Sequence, residues 1–140
     1  MTQVFDPKTA TGNWNGRSFA NGENVHGRIY TEAELWDNYA YFIKRVVPVA
    51  ERCGVYIGIH PDDPPFYPLG GVPRALFGTF AGYQKALAIA DSPNIGACLC
   101  LGCWLEGGKE QMGADVFEAI DWFAGNNPMK RNLLFKVHFR

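Results

Sequence analysis

Helical and strand patterns alternate along most of this chain. Three apolar runs predict strands at 55–60, 95–101 and 133–140, so strands recur about every 40 residues. A helical spacing of apolar residues precedes each run, and the runs are almost continuously apolar rather than alternating. Strands of this kind are typical of a parallel sheet covered by helices. The order α-β-α-β-α-β therefore predicts an α/β fold, either an open doubly wound sheet or part of a (β/α)8 barrel.

The first helix has clear signals at both ends. Thr31 and Glu34 form the pattern of a capping box, which predicts that the helix begins there. Pro48 should kink the helix or restart it. Gly54 follows the last apolar position and should end the helix. Cys53 lies on the apolar stripe and is predicted to be part of the core.

The other segments are predicted from their own local signals. Thr79 begins a second helix, and a third runs over 114–124. The Gly-rich stretch at 102–113 is predicted to be a loop, and residues 1–29, rich in Gly and Asn, to be an irregular N-terminal arm or loop.

Composition narrows the class of protein. A chain of 140 residues with 47% hydrophobic and 19% charged residues is sufficient for one domain with a core. A net charge of -1 without a basic cluster argues against a nucleic-acid or membrane-surface partner. No apolar run is long enough for a transmembrane helix, and the polar first residues do not resemble a secretory signal. Three of the four cysteines crowd into 98–103, which is poor spacing for a disulfide framework, so a cytoplasmic location is expected.

Each predicted strand carries a metal-ligating side chain near its C-terminal end. His60 ends the first strand, Cys100 lies near the end of the second, and His138 lies in the third. The carboxyl ends of parallel strands form the functional edge of α/β folds. Imidazole and thiolate groups that converge there suit a first-row divalent metal. The proline-rich acidic stretch at 61–65 predicts a loop that holds something in a fixed position.

Each of these residues also has a plainer interpretation. A single histidine at a strand end is more often a hydrogen-bonded structural residue, and Cys98 and Cys100 taken alone are typical of small buried hydrophobes. Cys100 and Cys103 also form one C-x-x-C motif, which suits a redox pair or half of a zinc site, although no second motif accompanies it. The acidic pair at 62–63 can cap a turn, and the last arginine can be a surface charge.

Five blocks of the sequence, taken in order and spacing, carry a resemblance to a known family. The blocks are PVAERCGVYIGIHPDDPP, GVPRALFG, DSPNIGACLCLG, DVFEAIDWFAG and KVHFR. Together they resemble the mannonate dehydratase family over about residues 30–140. The resemblance implies that 30–140 is a segment of a TIM barrel of the xylose isomerase type. It also implies removal of water from D-mannonate to give 2-keto-3-deoxy-D-gluconate, in hexuronate catabolism.

The resemblance further implies a site. A divalent metal, Mn²⁺ or Fe²⁺, would be held by His60, Cys100 and His138. Arg140 would lie beside the metal and the substrate, with a catalytic and a substrate-binding role. Asp62 and Asp63 would bind substrate as one wall of the site. A homo-oligomer of the full-length enzyme is compatible with this picture.

The chain also departs from the family pattern. A (β/α)8 barrel needs roughly 250 residues, and the family's fourth metal ligand, an aspartate, lies beyond Arg140 together with a catalytic histidine and tyrosine. Cys103 and Trp104 stand where small residues are expected. We therefore expect a segment of a mannonate dehydratase that is inactive by itself. An inactive metal-binding remnant and a related sugar isomerase or epimerase are the alternatives.

Overall fold

The computed structural model describes residues 11–14, 17–20, 26–63, 65, 68, 72–74 and 76–139. Within these ranges, none of the helices combines the length and apolar character that a membrane span needs. The elements, in chain order, are β1 (Thr11–Trp14), β2 (Arg17–Ala20), α1 (Glu32–Arg52), β3 (Ile57–Ile59), α2 (Phe80–Ala90), β4 (Ile95–Cys100), α3 (Leu101–Met112), α4 (Val116–Ala124) and β5 (Leu134–His138).

The sheet that organises the fold has three parallel strands in the order β3-β4-β5. Strand β4 lies in the middle and is buried along its whole length. Its neighbours cover its two edges, and the burial of every residue shows that both of its faces are covered as well, which explains its continuous apolar sequence. The predicted α/β class is confirmed, and the arrangement is consistent with a segment of a (β/α)8 barrel.

The region predicted to be an irregular arm, 1–29, contains a short antiparallel hairpin. Strands β1 and β2 pair so that Trp14 lies opposite Arg17. Only Asn15 and Gly16 separate them in the sequence, and Asn-Gly is the strongest sequence signal for a two-residue hairpin turn. The irregular assignment was therefore wrong for Thr11–Trp14 and Arg17–Ala20, because this signal was overlooked among the other Gly and Asn residues.

Helix α1 begins as predicted and ends at Arg52, just before the predicted stop at Gly54. The capping box of Thr31 and Glu34 is present, and the chain leaves the helix through Gly54, whose φ is +63°. Pro48 lies inside one continuous helix, so the predicted restart does not occur. We attribute this continuity to packing on both sides of Pro48, where Ile43 and Ala50 are buried, because such packing offsets the hydrogen bond lost at a proline.

The prediction that Cys53 belongs to the core was wrong. Its side chain is exposed, and the residue is the C-cap of α1. The buried stripe of the helix ends one turn earlier, at Ala50. Because Cys53 lies just beyond the last helical residue, its side chain no longer follows the helical repeat that turns the earlier apolar residues toward the core.

The predicted loop at 102–113 was also wrong, because α3 occupies most of it. Trp104 is 1% exposed, and its Nε1–H donates to the backbone oxygen of Ala114 at 2.9 Å. Met112 is fully buried at the other end of the helix. Burial of large side chains outweighs the low helix propensity of the glycines, although Gly108 departs from helical geometry with a φ of +67°.

The core lies between the sheet and the helices that cover it. Tyr83 of α2, Trp104 of α3 and Phe123 of α4 are almost completely buried, and their rings contact one another at centroid distances of 5.4–6.2 Å. Predicted starts at Thr79 and near Ala114 agree with the observed N-caps of α2 and α4, which are Thr79 and Asp115. The core therefore fixes the positions of the strand ends and of the segments that follow them.

Candidate metal centre

The three side chains predicted at the strand ends meet at one place. His60, Cys100 and His138 each offer a ligand atom, and these atoms all lie within 4.8 Å of one another. The rings of His60 and His138 have centroids 5.0 Å apart and are inclined at 53°. Ligand atoms of a single four-coordinate ion lie roughly 3–4 Å apart at bond lengths of about 2.0–2.3 Å. Small side-chain movements would therefore suffice for the three residues to hold one divalent ion.

An irregularity in the sheet gives His138 its place. The register between β4 and β5 shifts between Ala97 and Cys98, after which Cys100 pairs with His138. A regular continuation from the Ala97–Leu134 pair would put Cys100 opposite Val137 instead. Because neighbouring residues along a strand point to opposite faces, the shift brings the imidazole to the face of the thiol. The sequence gives no signal for this bulge.

His60 is held by the residues around the end of β3. The hydroxyl of Tyr83 donates to the backbone oxygen of Ile59 at 3.0 Å, which fixes the last residue of the strand. Nδ1 of His60 lies 2.8 Å from the backbone oxygen of Pro61. When Nδ1 carries the proton and donates to that carbonyl, Nε2 is left as the ligand atom.

Cys100 occupies the junction between β4 and α3. Its side chain is 2% exposed, and it is the N-cap of α3 without acting as a side-chain cap. The positive end of the helix dipole favours an anionic group at this position. A thiolate ligand would therefore be held in a favourable field.

The surroundings of His138 favour its neutral form. Burial lowers the pKa of the imidazole most, and the nearby charges of Lys136 and His60 lower it further. The neutral imidazole is the form that binds a metal. The same face of the sheet also carries Cys98, whose thiol pKa is raised by burial and which pairs with Lys136 in the register.

The loop after β3 is fixed at several points. Pro65 is fully buried, and a Cβ added at Gly78 would collide with the carbonyl oxygen of Pro65. The backbone N–H of Asp62 donates to the backbone oxygen of Phe77 at 3.1 Å. Pro61 is buried as well. These contacts fix the loop itself, and the prediction that it holds something in a fixed position stays a prediction.

The two aspartates of this loop have different environments. Asp62 is half-buried and accepts a hydrogen bond of 3.1 Å from Nη1 of Arg74. Burial raises the pKa of Asp62, while Arg74 opposes that shift. Both side chains line a cavity of about 220 Å³ with Leu35 and Phe77 among its walls. Asp63 is exposed.

Sequence reasoning did not assign a role to Arg74. A single arginine between apolar residues, downstream of an acidic pair, was the available signal. The proposed catalytic and substrate-binding residue Arg140 lies outside the described residues. The substrate-binding roles of Asp62 and Asp63 and the metal-ligand roles of the strand-end residues remain predictions.

Comparisons with known proteins give consistent family names. The family model of D-mannonate dehydratase matches residues 22–134. A mannonate dehydratase of Bacillus subtilis (strain 168) is 39% identical over 115 residues, which is 79% of this chain and 29% of the relative. A mannonate dehydratase of Streptococcus suis (strain 05ZYH33) is 36% identical over 118 residues, covering 84% of this chain and 29% of the relative.

A shorter match shows higher identity. A mannonate dehydratase of Streptococcus equi subsp. zooepidemicus (strain MGCS10565) is 46% identical over 74 residues, covering 53% of this chain and 20% of the relative. The chain thus spans less than a third of the length of these curated relatives. No solved structure matches the chain. Because the family model covers most of the sequence, from residue 22 to the first residue of β5, the chain belongs to the D-mannonate dehydratase family.

Proposed function

We propose that this chain provides the metal-binding part of a mannonate dehydratase, which converts D-mannonate to 2-keto-3-deoxy-D-gluconate and water in hexuronate catabolism. The observation that carries this proposal is the convergence of His60, Cys100 and His138 within 4.8 Å in a member of this family. The relatives named mannonate dehydratase are more than three times as long as the matched part. The activity is therefore proposed for the whole protein.

The donor set suits a first-row divalent ion. Two imidazole nitrogens and one thiolate are acceptable to Mn²⁺, Fe²⁺ and their neighbours, and we propose Mn²⁺ or Fe²⁺. A bound ion supplies Lewis acidity, which stabilises negative charge on the substrate's oxygen atoms. The lowered pKa of His138 keeps its imidazole in the neutral form that binds a metal. Arg74 pairs with Asp62 and so helps to hold the loop that follows His60.

The remaining residues of the proposed site would act on the sugar acid. Loss of water from a 2,3-dihydroxy acid requires removal of the C2 proton and departure of the C3 hydroxyl, so a general base and a general acid are needed. We propose that Arg140 binds the substrate carboxylate through its guanidinium group. We also propose that Asp62 and Asp63 form one wall of the site. All four cysteines lie in the described part and none of them forms a disulfide there, which supports a cytoplasmic location.

The first experiment measures the manganese content and affinity of the purified chain. We expect His60→Ala to weaken Mn²⁺ binding at least tenfold, because loss of a direct ligand costs no less than the 10- to 100-fold typical of its supporting residues. His26→Ala is the matched control, since His26 is exposed, contacts Tyr30 and does not belong to the group at the strand ends. Equal Mn²⁺ affinity in His60→Ala and in the unaltered chain would show that His60 is not a ligand.

The second experiment tests the reaction with the whole protein. We expect Mn²⁺-dependent formation of a 2-keto-3-deoxy acid from D-mannonate and no conversion of aldose sugars. Isomerisation of an aldose instead would favour the alternative of a related sugar isomerase. Metal binding without turnover of either substrate would favour the inactive remnant.

A further inference from the structure

A second group of ligand-type side chains arises from two of the three segments that form the candidate metal centre, those that follow β3 and β4. One carboxylate oxygen each from Asp63 and Glu106 and the Sγ of Cys103 all lie within 4.8 Å of one another. We propose that Asp63, Cys103 and Glu106 form a second divalent-cation site that binds Zn²⁺. This site shares no residue with the group of His60, Cys100 and His138.

The position of these residues in the sequence explains why they meet. Asp63 follows His60 by three residues in the loop after β3, and Cys103 follows Cys100 by three residues in α3. Glu106 follows Cys103 by a further three residues. Residues three apart are neighbours on one side of a helix. The chain around the end of β3 and the chain around the β4–α3 junction therefore each contribute to both groups.

Burial of the sulfur distinguishes this group from a chance pair of surface carboxylates. Cys103 is fully buried, whereas Asp63 and Glu106 are exposed. The buried thiol and the two exposed carboxylates form a group with one soft and two hard donors. Zn²⁺ accepts both kinds of donor, whereas Mg²⁺ and Ca²⁺ prefer oxygen alone.

The distances are compatible with four-coordinate zinc. Bonds of about 2.0–2.2 Å to oxygen and about 2.3 Å to sulfur place the donors roughly 3–4 Å apart. The observed limit of 4.8 Å requires the side chains to move inward by about 1 Å, a rotamer adjustment for the two exposed carboxylates. Water completes the coordination. On binding, Cys103 releases its proton to solvent and becomes the thiolate ligand.

The surrounding backbone holds the two segments together. Pro65 is fully buried, and a Cβ added at Gly107 would lie 3.4 Å from the Cγ of Pro65, so the loop passes close to α3 beside Glu106. An ion at the second site would join the loop that begins at His60 to the helix that begins at Cys100. Its role would be structural, since it would fix the relative positions of two ligands of the first centre.

The test uses the purified chain, stripped of metal and titrated with Co²⁺ and then Zn²⁺. Co²⁺ substitutes for Zn²⁺ and reports a thiolate ligand by its charge-transfer absorption. We expect two bound ions in the unaltered chain and one in Cys103→Ser. Cys100→Ser is the matched control and should also retain one ion, with a thiolate signal that now belongs to Cys103. Glu106→Gln changes an exposed side chain, and we expect it to weaken one of the two ions at least tenfold.

The outcomes separate this site from the proposed function. Full retention of both the ion count and the thiolate signals in Cys103→Ser and Glu106→Gln would overturn the second site and leave the first untouched. A single ion that is lost in Cys103→Ser and kept in Cys100→Ser would support the second site and refute Cys100 as a ligand. Far-UV circular dichroism of each variant checks the fold, and Glu106→Gln decides the question if Cys103→Ser does not fold.

Discussion

The chain leaves its two neighbouring strands β3 and β4 in different ways. After β3, His60 is followed by a loop with buried prolines at 61 and 65 and a hydrogen bond from Asp62 to Phe77. After β4, Cys100 is itself the N-cap of α3, so the strand passes directly into a helix. The segments after β3 and β4 nevertheless both place a ligand-type side chain at the same edge of the sheet.

The difference shows two ways to hold a side chain in position. The loop after β3 is restrained locally, by proline rings and close backbone contacts. The junction after β4 is restrained from a distance, by Trp104 packed in the core one turn into α3. Local restraint leaves a signature in the sequence, whereas restraint by packing depends on residues that are far away along the chain. Substitutions in the segments after β3 and β4 should therefore change the free energy of unfolding by different amounts.

The largest effect is expected at Trp104. Replacement with Ala removes a ring that is 1% exposed and a hydrogen bond to Ala114, so we expect a loss of about 4 kcal/mol in the free energy of unfolding. Urea denaturation of the purified chain measures this loss. Leu105→Ala is the control in the same helix, because Leu105 is 65% exposed and should change stability by less than about 0.5 kcal/mol. A loss below about 1 kcal/mol in Trp104→Ala would contradict restraint by packing.

The sequence predicted the sheet more reliably than the segments between its strands. The strands at 55–60, 95–101 and 133–140 correspond to β3, β4 and β5. The signal is strongest for β4, because a parallel strand that is buried along its whole length is apolar throughout. The first helix was found from its capping box at Thr31. Helix α3 was missed because its glycines suggest a loop. Trp104 anchors this helix through ring contacts with Tyr83 and Phe123, which are too far away along the chain for a local pattern to show.

The candidate site was predictable in part. Parallel strands bring their carboxyl ends to one edge, so the meeting of His60, Cys100 and His138 follows from topology. The register shift between Ala97 and Cys98 determines on which face of the sheet His138 lies, and no sequence pattern predicts this shift. The pairing of Arg74 with Asp62 was missed for a related reason, since Arg74 comes twelve positions after Asp62 and their contact depends on how the chain between them folds.

A second prediction tests the local restraint after β3. A Cβ at Gly78 would collide with the backbone oxygens of Pro65 and Arg74, so we expect Gly78→Ala to cost about 3 kcal/mol. The control is Gly54→Ala, where a Cβ has open space and only the positive φ opposes it, with an expected cost of about 1 kcal/mol. Urea denaturation gives both values. Equal losses in the free energy of unfolding for the two substitutions would mean that the loop after β3 moves to make room for the methyl group and is not rigidly held.

The smallest effect is a pH dependence that originates at Asp62. Burial raises the pKa of its carboxyl above the ordinary value of 3.8, with Arg74 opposing the shift. A raised pKa means that the folded state holds the proton more tightly than the unfolded state, so this contribution to stability is present below pH 3.8 and is lost as pH rises through the folded-state pKa.

We expect Asp62→Asn to abolish this decline in stability with rising pH. Arg74→Met should extend it to higher pH, because the buried carboxylate then lacks its cation. Unfolding free energies measured between about pH 3 and pH 7 compare the three proteins. Parallel curves for the unaltered chain and Asp62→Asn would show that the loop after β3 is restrained by its prolines and backbone contacts alone, without a contribution from this ion pair.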